Sequence, residues 1–504
     1  MATELHAATP TEAAPSAGLN PVRGVVAGIA GLYTYAGGQV SRPKLLATVC
    51  LLDILAILGT GVAVLRMQSQ TGAAGWAMSI GLPLAAAVLA VFALQRRWSY
   101  TIGGLRSLPG QMAKVASALL MVFAVVTAVV FLAGQDSPGR LDLAAWAAAS
   151  LAALAAVRLL AARVTEHLAD RDLLVRRTVI AGGGKEAADL IQALQSAARQ
   201  DVHILGVFDD RRDGRSAATP AGLSQLGTFA DLERFCRDQS VDLIIVTVPR
   251  AAEHRLLQIL ARFWVLPVYV RLSALGSKLP LSSRAYTYIG NVPMLAVFDK
   301  PLTDWERVLK NVTDRALAAA LLLLAAPVMA AVALAVRLES KGPILFKQKR
   351  YGFNNELIEV LKFRSMYTDR CDAEAARLVT RGDPRVTRVG RIIRRTSLDE
   401  LPQLINVLKG DLALVGPRPH AREAKAETEL YETAVQGYFA RHRVKPGVTG
   451  WAQVNGWRGE TDTTEKLQRR VEHDLYYIEN WSVLLDLKIV AMTPFALLSA
   501  KNAY

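Results

Sequence analysis

Four long apolar runs follow one another in the first third of the chain, and they constrain its fold more than any other feature. Each is close to the roughly 20 residues that an α-helix needs to cross a ~30 Å hydrocarbon core. Asp53 in the first run and Arg158 in the fourth weaken those two assignments individually. A buried soluble bundle is the alternative, but four runs in succession favour a four-helix transmembrane domain over residues 41–165. The runs are Leu45–Leu65, Ala73–Leu94, Met112–Ala133 and Leu143–Ala162.

The basic residues between these runs predict the orientation of the domain. Lys and Arg concentrate on cytoplasmic connections of membrane proteins. Two of the connections carry only Arg66 and Arg140, whereas the other flanks are strongly basic. Both ends of the four-helix domain are therefore expected on the cytoplasmic side. The basic flanks contain Arg42, Lys44, Arg96, Arg97, Arg106, Lys114, Arg163, Arg171, Arg176 and Arg177.

Composition narrows the class of protein further. The 504 residues are 52% apolar and 20% charged, with 59 Lys and Arg against 44 Asp and Glu. These values exclude disorder for most of the chain and leave a basic nucleic-acid binder or a membrane protein with a basic cytoplasmic face. Three scattered cysteines indicate neither a zinc site nor a disulfide framework. Residues 1–40 are Ala-, Pro- and Gly-rich and are expected to form a disordered tail.

Short strands alternating with helices indicate a Rossmann-like α/β domain over residues 175–295. Strands are expected at Thr178–Ala181, Ile204–Phe208, Asp242–Val248 and Pro267–Val270. The turn Gly182-x-Gly184-x-x-Ala187 has the spacing of a phosphate cradle at a helix N-terminus. Asp209 follows later than the usual ribose-binding acid, and only one mononucleotide half is visible. A bound nucleotide and a purely regulatory or structural domain both remain open.

A fifth apolar run, Leu317–Val336, poses a question of topology. If it crossed the membrane once, all later residues would leave the cytoplasm. Pro327 at its middle removes a backbone hydrogen bond and favours a break, so that the helix would enter the membrane and return to the same side. An ordinary kinked span is the alternative. Thr303-Asp-Trp-Glu306 is a capping box that predicts the start of this helix, and the catalytic domain would cover 303–504.

Residues 337–420 combine 17 Lys or Arg with ten Asp or Glu, among them the adjacent carboxylates Asp399 and Glu400. Motifs for reading nucleic acid do not accompany this basic stretch, so an anionic lipid or a nucleotide diphosphate is the expected partner. Ser397-x-x-Glu400 also matches a capping box, which is the structural interpretation of the pair. The chemical interpretation is that a helix N-terminus and nearby arginines keep Asp399 ionised as a nucleophile while Glu400 helps to hold Mg²⁺.

Six motifs in order then resemble the bacterial polyprenyl-phosphate hexose-1-phosphate transferases. The branch that the chain resembles most, the undecaprenyl-phosphate glucose phosphotransferases, is indicated by Ile289-Gly-Asn-Val-Pro-Met294, Phe298-Asp-Lys-Pro301 and Tyr351-Gly-Phe-Asn-Asn-Glu356. The layout of the whole chain resembles the long members of that family. A departure is Ala326, where many relatives have Ser before the breaking proline. The motifs are Gly342-Pro-Ile-Leu-Phe-Lys-Gln-Lys-Arg-Tyr-Gly352, Val360-Leu-Lys-Phe-Arg-Ser-Met366, Arg395-Thr-Ser-Leu-Asp-Glu-Leu-Pro-Gln403, Asn406-Val-Leu-Lys-Gly-Asp411, Val415-Gly-Pro-Arg-Pro-His420 and Lys445-Pro-Gly-Val-Thr-Gly-Trp-Ala-Gln-Val-Asn-Gly456.

The resemblance implies a phosphoglycosyl transferase of the bacterial inner membrane whose active site faces the cytoplasm. Glucose 1-phosphate would pass from UDP-glucose to undecaprenyl phosphate, with release of UMP, at the first membrane step of exopolysaccharide or capsule synthesis. Asp399 would be the nucleophile, Asp399 and Glu400 would hold Mg²⁺, and Pro327 would break a re-entrant helix. The implied phosphate-binding residues are Lys362, Arg364, Arg394, Arg395 and Arg418, and the implied nucleotide- or sugar-binding residues are Gln453, Asn455 and Arg458.

Other functions remain open at this level. The same chemistry with UDP-galactose differs by one hydroxyl configuration that none of the motifs visibly reads. A glycosyltransferase that moves the sugar alone would release UDP instead of UMP, and a nucleotide-sensing export scaffold would need no catalytic pair. A sugar-nucleotide dehydratase finds no support, because the middle domain lacks a Tyr-x-x-x-Lys pair. Oligomeric state is also open, a homodimer being one option, and Trp481–Ala500 is expected to be an interfacial amphipathic helix.

Overall fold

The computed structural model divides the chain into two compact units, Met1–Leu174 and Val175–Tyr504, which are described separately. The N-terminal tail predicted over 1–40 lies outside the described residues. These comprise 41–66, 73–97, 99–134, 138–171, 173–196, 202–211, 223–247, 253–275, 286–289, 291–368, 383–420, 425–426, 429–431, 435, 437–459 and 463–498.

The first unit is built from long apolar helices, each of which contains one of the predicted runs almost entirely. The last of them continues beyond the predicted end at Ala162. Large apolar side chains such as Leu120 and Phe131 are about three-quarters exposed, at 76% and 75%, as expected of helices surrounded by lipid. The helices are α1 Arg42–Arg66, α2 Ala73–Arg96, the short α3 Ile102–Arg106, α4 Leu108–Leu132 and α5 Arg140–Asp170.

The two charged residues that weakened the sequence prediction form an ion pair inside the helical unit. Arg158 Nη2 on α5 lies 2.6 Å from Asp53 Oδ2 on α1, and both side chains are fully buried. Tyr100 Oη donates to the same carboxylate oxygen at 2.8 Å. Because an unpaired charge is costly in an apolar interior while a paired one is tolerated, Asp53 and Arg158 are compatible with membrane-spanning helices.

The second unit begins with a seven-stranded sheet in the order β3-β2-β1-β4-β5-β7-β6. The first five strands pair in parallel and the last two are antiparallel. Strands β3, β6 and β7 were not among the predicted strands. The elements are β1 Arg176–Ala181, α6 Lys185–Gln195, β2 Val202–Phe208, β3 Gln225–Gly227, α7 Phe229–Asp238, β4 Leu243–Val246, α8 Glu253–Phe263, β5 Tyr269–Ser273, β6 Tyr286–Ile289 and β7 Val292–Phe298.

The predicted phosphate turn connects β1 to the start of α6, as its spacing indicates. Gly184 has a φ of +91°, a backbone conformation that favours glycine. Asp209 lies directly after β2, and its Oδ2 accepts a hydrogen bond from Gly183 N at 2.8 Å. Asp209 therefore lies next to the turn although it comes late in the sequence, and its carboxylate accepts a hydrogen bond from one amide of the loop.

The C-terminal part of the second unit begins with a long helix and a hairpin and continues with short helices around two parallel strand segments. Its main core joins the long helix to the later elements through Ala318, Val360, Val407, Val415 and Tyr477. The elements are α9 Asp304–Glu339, β8 Leu345–Tyr351, β9 Leu357–Phe363, α10 Arg388–Thr396, α11 Gln403–Lys409, β10 Ala413–Val415, β11 Lys425–Ala426, β12 Glu429–Leu430, β13 Gly447–Thr449, α12 Trp451–Val454, α13 Thr464–Glu479 and α14 Val483–Leu498.

Helix α9 begins as predicted but is not interrupted at Pro327. The Thr303 side chain accepts from Glu306 N, and the Glu306 side chain accepts from Thr303 N at 2.8 Å, which confirms the capping box. The helix then continues for 36 residues with Pro327 inside it. Pro327 therefore does not divide α9 into two separate helices, and a re-entrant path of the helix stays a prediction. A proline within a helix still removes one backbone bond and is the place where a helix bends.

Helix α14 is held against the protein by Asp486, an acid within the segment that the sequence predicts to be an interfacial amphipathic helix. Asp486 is 3% exposed. Its carboxylate accepts from Lys310 Nζ at 2.9 Å, Tyr477 Oη at 2.8 Å and Trp481 Nε1 at 3.1 Å. Leu484, by contrast, is 77% exposed. The helix thus buries its acid and exposes apolar side chains, the reverse of the arrangement in a water-facing helix.

Candidate active site

The site lies where the β8–β9 hairpin meets the segment between α10 and α11. Asn406 on α11 fixes this contact, because its side-chain amide donates to Glu359 O at 2.8 Å and its Oδ1 accepts from Leu361 N at 3.0 Å. Asn406 is 2% exposed, so this bidentate contact to the backbone is well protected from water. The next residue of β9 is Lys362, which is thereby aligned with the carboxylate pair.

The carboxylate pair sits on a short 3₁₀ turn, Leu398–Glu400, between α10 and α11. Ser397 ends α10 in the left-handed conformation with a φ of +58°, which is unusual for a residue other than glycine. Its side chain makes no capping hydrogen bond. The capping box predicted for Ser397 and Glu400 is therefore wrong: the Glu400 carboxylate turns away from the backbone and toward cations instead.

Two cations hold Glu400. Lys362 Nζ donates to its Oε1 at 2.9 Å, and Arg418 donates to Oε1 at 2.6 Å and to Oε2 at 3.2 Å. Burial by itself would raise the pKa of the Glu400 carboxyl, but Arg418 and Lys362 together outweigh it and hold the pKa well below its usual range. Glu400 is consequently an anion that orients both cations at the site.

Asp399 has a different electrostatic environment. Burial raises the pKa of the Asp399 carboxyl, and the neighbouring Glu400 charge adds to that rise. Lys362, Arg394 and Arg418 act in the opposite direction without cancelling it. Helix α11 begins only at Gln403 and Glu400 engages the nearest cations, so neither holds the Asp399 pKa below its ordinary value. The role of Asp399 as an ionised nucleophile stays a prediction. A partly desolvated carboxylate of raised pKa is a stronger nucleophile than a solvated one once it is ionised.

Sequence reasoning missed the groups that support Arg418. Arg441 Nη2 donates to the Arg418 carbonyl at 2.8 Å and lies 2.6 Å from the buried Asp474 carboxylate. Arg350 Nη1 donates to the Pro419 carbonyl at 2.5 Å, and burial together with Arg418 lowers the Arg350 pKa to about 10. Two guanidinium groups thus fix the backbone from which Arg418 reaches Glu400. Arg350 lay within the predicted basic stretch, but a single sequence contains no signal that connects Arg441 to this site.

The remaining predicted residues have three different placements. Arg394 and Arg458 are close enough to Asp399 to interact with its charge, and Arg458 also donates to the Ser397 hydroxyl. Arg395 is exposed on α10. The contacts of three others are with the backbone or side chains of neighbouring elements. Arg364 donates to Val336 O, Ser340 O and Ser340 Oγ at the end of α9, Gln453 donates to Val448 O, and Asn455 donates to Trp451 O.

The hydrogen bonds of Arg364 are made to the C-terminal end of helix α9. Its guanidinium bonds the Val336 and Ser340 carbonyl groups, and the carbonyls of a last helical turn lack partners within the helix. The side chain is 6% exposed. Its Nε and Nη1 are buried and have no hydrogen-bond partner among the described residues. The contact of Arg364 with the substrate phosphate stays a prediction.

The donors at the site fit Mg²⁺ in the manner usual for phosphate-transferring enzymes. Mg²⁺ is typically bound by one or two carboxylates together with substrate phosphates and water, not by an all-protein cage. In the described part of the chain, no group of three or more His, Cys, Asp or Glu side chains could form such a cage. Asp399 and the less engaged Oε2 of Glu400 are the oxygens that remain available, since among the described residues Oε2 accepts only the longer bond from Arg418.

Two family models match the chain. The description "Bacterial sugar transferase" applies to residues 305–500, which include the carboxylate pair and its cations. The description "CoA-binding domain" applies to residues 98–274, which include α4, α5 and most of the parallel sheet. The fold and the site thus define a sugar transferase with long apolar helices and a separate α/β domain.

Comparison with characterised proteins identifies the family. A UDP-glucose:undecaprenyl-phosphate glucose-1-phosphate transferase of Xanthomonas campestris pv. campestris is 32% identical over 458 residues, 90% of this chain and 93% of that protein. Identity is 41% over 339 residues to an undecaprenyl-phosphate glucose phosphotransferase of Komagataeibacter xylinus, and 52% over 216 residues to an Escherichia coli K12 protein named like the Xanthomonas one. The chain belongs to the polyprenyl-phosphate hexose-1-phosphate transferases, which confirms the resemblance drawn from its motifs.

The extent of the matches differs among these relatives. The alignment spans 60% of the Komagataeibacter protein and 46% of the Escherichia protein, and 66% and 43% of this chain respectively. Only part of the length of those two relatives is therefore matched. The Xanthomonas protein, in contrast, is matched over both the helical unit and the C-terminal elements, since 458 aligned residues exceed the 330 of the second unit.

Proposed function

We propose that this protein transfers glucose 1-phosphate from UDP-glucose to undecaprenyl phosphate and releases UMP. The observation that carries the proposal is the Lys362–Glu400–Arg418 cluster beside Asp399. It combines a partly desolvated carboxylate with several cations, as attack on a diphosphate requires. Relatives named for this reaction support the choice of glucose as the sugar.

In the first step, an Asp399 carboxylate oxygen attacks the β-phosphorus of UDP-glucose. The bond from that phosphorus to the bridging oxygen breaks, so UMP leaves and a glucosyl-phosphoryl aspartate remains. In the second step, a phosphate oxygen of the lipid attacks the same phosphorus, and the Asp399 carboxylate departs. Lys362, Arg394 and Arg418 stabilise the negative charge that develops on the phosphoryl oxygens in both steps.

Mg²⁺ is proposed at the oxygens of Asp399 and Glu400, where it would neutralise phosphate charge. Glu400 has a second role that needs no metal. Because its carboxylate binds both Lys362 and Arg418, it holds the two cations at a spacing that suits phosphate oxygens. Arg441 and Arg350 are not hydrogen-bonded to Glu400 themselves but fix the backbone of Arg418 and Pro419 by hydrogen bonds to their carbonyl groups.

The nucleotide product tests the proposal. Purified protein in nanodiscs with undecaprenyl phosphate is expected to release UMP from UDP-glucose, to prefer UDP-glucose over UDP-galactose, and to stop when EDTA removes divalent cations. Chromatography of the nucleotide products and of the labelled lipid measures all three. UDP as the product would replace the proposal by a sugar-only transferase. Faster turnover of UDP-galactose would contradict only the proposed sugar. Full activity in EDTA would contradict only the proposed role of Mg²⁺.

We also propose that α1, α2, α4 and α5 span the inner membrane and that α9 enters it and returns to the cytoplasmic side. The part of α9 before Pro327 and the part after it both pack near the same strand. Ala318 belongs to a cluster with Val360 of β9, whereas Val332 and Val336 belong to a cluster with Phe363 of β9. A helix with both ends anchored on one strand is unsuited to crossing a bilayer once. Between these ends, Leu323 and Leu324 are 77% and 78% exposed, as suits a lipid-facing bend.

Cysteine labelling tests this topology. Asn291→Cys and Lys341→Cys are introduced into a cysteine-free background. Asn291, in the turn between β6 and β7, precedes α9, Lys341 follows it, and both are exposed. A membrane-impermeant maleimide is expected to label both in inside-out vesicles and neither in right-side-out vesicles, with detergent-solubilised protein as the control for reactivity. Labelling of the two cysteines from opposite sides would mean that α9 is an ordinary span, and the cytoplasmic placement of the site would then be wrong.

A further inference from the structure

A cavity of about 100 Å³ opens in the second unit, lined by residues distinct from the carboxylate pair and its cations. The first three turns of α9 form one wall, and the segment before β13 forms another. Its volume is below the 300–1,000 Å³ of pockets that enclose a drug-sized ligand, so a nucleotide sugar would not fit, whereas a compact ionic group would. The charged residues that line the cavity are Arg307, Lys310, Asp314, Arg443 and Lys445.

Positive charge predominates among the charged residues that line this cavity, with four cations against the carboxylate of Asp314. Lys310 is paired with Asp314 and Asp486, at 2.9 Å from each. Within the described ranges, however, no carboxylate lies within ion-pair distance of Arg307, Arg443 or Lys445. Burial lowers the pKa of Lys445 and the nearby Arg315 lowers it further, whereas Asp314 and Asp411 act in the opposite direction without cancelling the shift. Such a group of desolvated like charges is costly without an anion.

The hydrogen bonds of these cations leave donors available. Lys445 Nζ donates to Gly410 O at 2.7 Å, and one Arg443 nitrogen donates to Asp299 O at 2.9 Å. The Arg443 Nε is buried and, among the described residues, has no hydrogen-bond partner. Since buried N–H groups nearly always have a partner, this donor is available to an acceptor that binds in the cavity.

The position of the cavity along α9 indicates which kind of anion it would bind. Asp314 on the cavity wall precedes the exposed Leu323 by nine residues, which is about 14 Å along a helix. The cavity therefore lies near the level of the head groups if Leu323 lies in hydrocarbon. Its other walls are largely apolar and include Leu302 and Trp481. Tryptophan is typical of the membrane interface.

We propose that this cavity binds the phosphate head group of a membrane lipid through Arg307, Arg443 and Lys445. The inference rests on the proposed entry of α9 into the membrane. The lipid is either an anionic phospholipid of the bulk membrane or a second molecule of the polyprenyl phosphate, because both present the same phosphate group. Strand β10 forms part of the floor and leads directly to Arg418, so the bound lipid would also brace the backbone of the active site.

Photo-crosslinking in nanodiscs tests the site with the full chain. The discs contain phosphatidylcholine and a minor fraction of phosphatidylglycerol that carries a photoreactive head group, and cross-linked peptides are located by mass spectrometry. The double variant Arg307→Gln/Lys445→Gln is compared with Lys347→Gln/Arg469→Gln, which loses the same charge at exposed positions. Cross-links to the cavity walls are expected to fall about tenfold or more in the first variant and to remain in the second. If the double variant does not fold, Arg307→Gln alone replaces it.

The competitor identifies the source of the phosphate. Loss of cross-links on adding undecaprenyl phosphate assigns the cavity to a polyprenyl phosphate, and their persistence assigns it to bulk phospholipid. Equal labelling of the two double variants would overturn the proposal, as would displacement by inorganic phosphate alone. UMP release by the wild-type protein, measured in the same discs, reports separately on the proposed function. Cross-links without UMP release would contradict the proposed function but not the proposed lipid site in the cavity.

Discussion

Asp399→Asn is expected to lower the rate of UMP release by about 10⁴-fold or more, the scale of loss when a covalent nucleophile is removed. Asparagine has nearly the same shape and cannot form the phosphoryl aspartate. The protein should still fold, because burial raises the pKa of the Asp399 carboxyl and ionisation there opposes stability. Thermal unfolding should therefore show an unchanged or higher midpoint. Single-turnover assays with excess protein measure the rate.

The intermediate itself separates chemistry from binding. With UDP-glucose and no lipid acceptor, acid-quenched wild-type protein should gain the mass of one hexose phosphate on the peptide that contains Asp399, and Asp399→Asn should gain none. Asp238→Asn, the same change at an exposed position of α7, should behave like the wild type. An adduct on another residue, or wild-type turnover by Asp399→Asn, would contradict the assignment of the nucleophile.

The helical unit was largely predictable because its signal is local. A run of about 20 apolar residues defines a helix with little help from the remainder of the chain, and the Thr303–Glu306 capping box spans only four residues. The Asp53–Arg158 pair was not predictable, because its members lie 105 residues apart on different helices. The sequence shows two isolated charges, and only packing reveals that each neutralises the other.

The site divides in the same way. The adjacent Asp399 and Glu400 were visible in the sequence, but the partners that decide their ionisation were not. Lys362 reaches Glu400 from 38 residues earlier and Arg418 from 18 residues later. A local rule therefore favoured a capping box with Ser397, whereas two distant cations form stronger, charge-assisted bonds with the same carboxylate. The motif identified the chemistry, and the tertiary contacts determined which of the two carboxylates has the raised pKa.

This division of charge predicts opposite pH shifts in two variants of the cluster. Ionised Asp399 is required for attack, so activity is lost as the pH falls through its raised pKa. Lys362 is the strongest influence that lowers this pKa, and the Glu400 charge raises it. Lys362→Met should therefore move the acid limb of the rate profile to higher pH, and Glu400→Gln should move it to lower pH. Both variants should also lose about 10²–10³-fold in rate at the optimum, because each removes an electrostatic contact to the transferred phosphoryl group or its support.

Single-turnover UMP release across a pH series measures these limbs, with Lys347→Met as the control. Lys347 lies on the neighbouring strand, is 65% exposed and, in the part of the chain that the structure describes, pairs only with the exposed Glu359. Its removal should therefore leave the limb in place. A shift in the same direction for Lys362→Met and Glu400→Gln would mean that the limb reports a group other than Asp399. A purely structural role for the cluster does not explain opposite shifts. A variant that only disturbs the packing of the site lowers the rate at every pH and does not move the acid limb in a direction set by the charge that was removed.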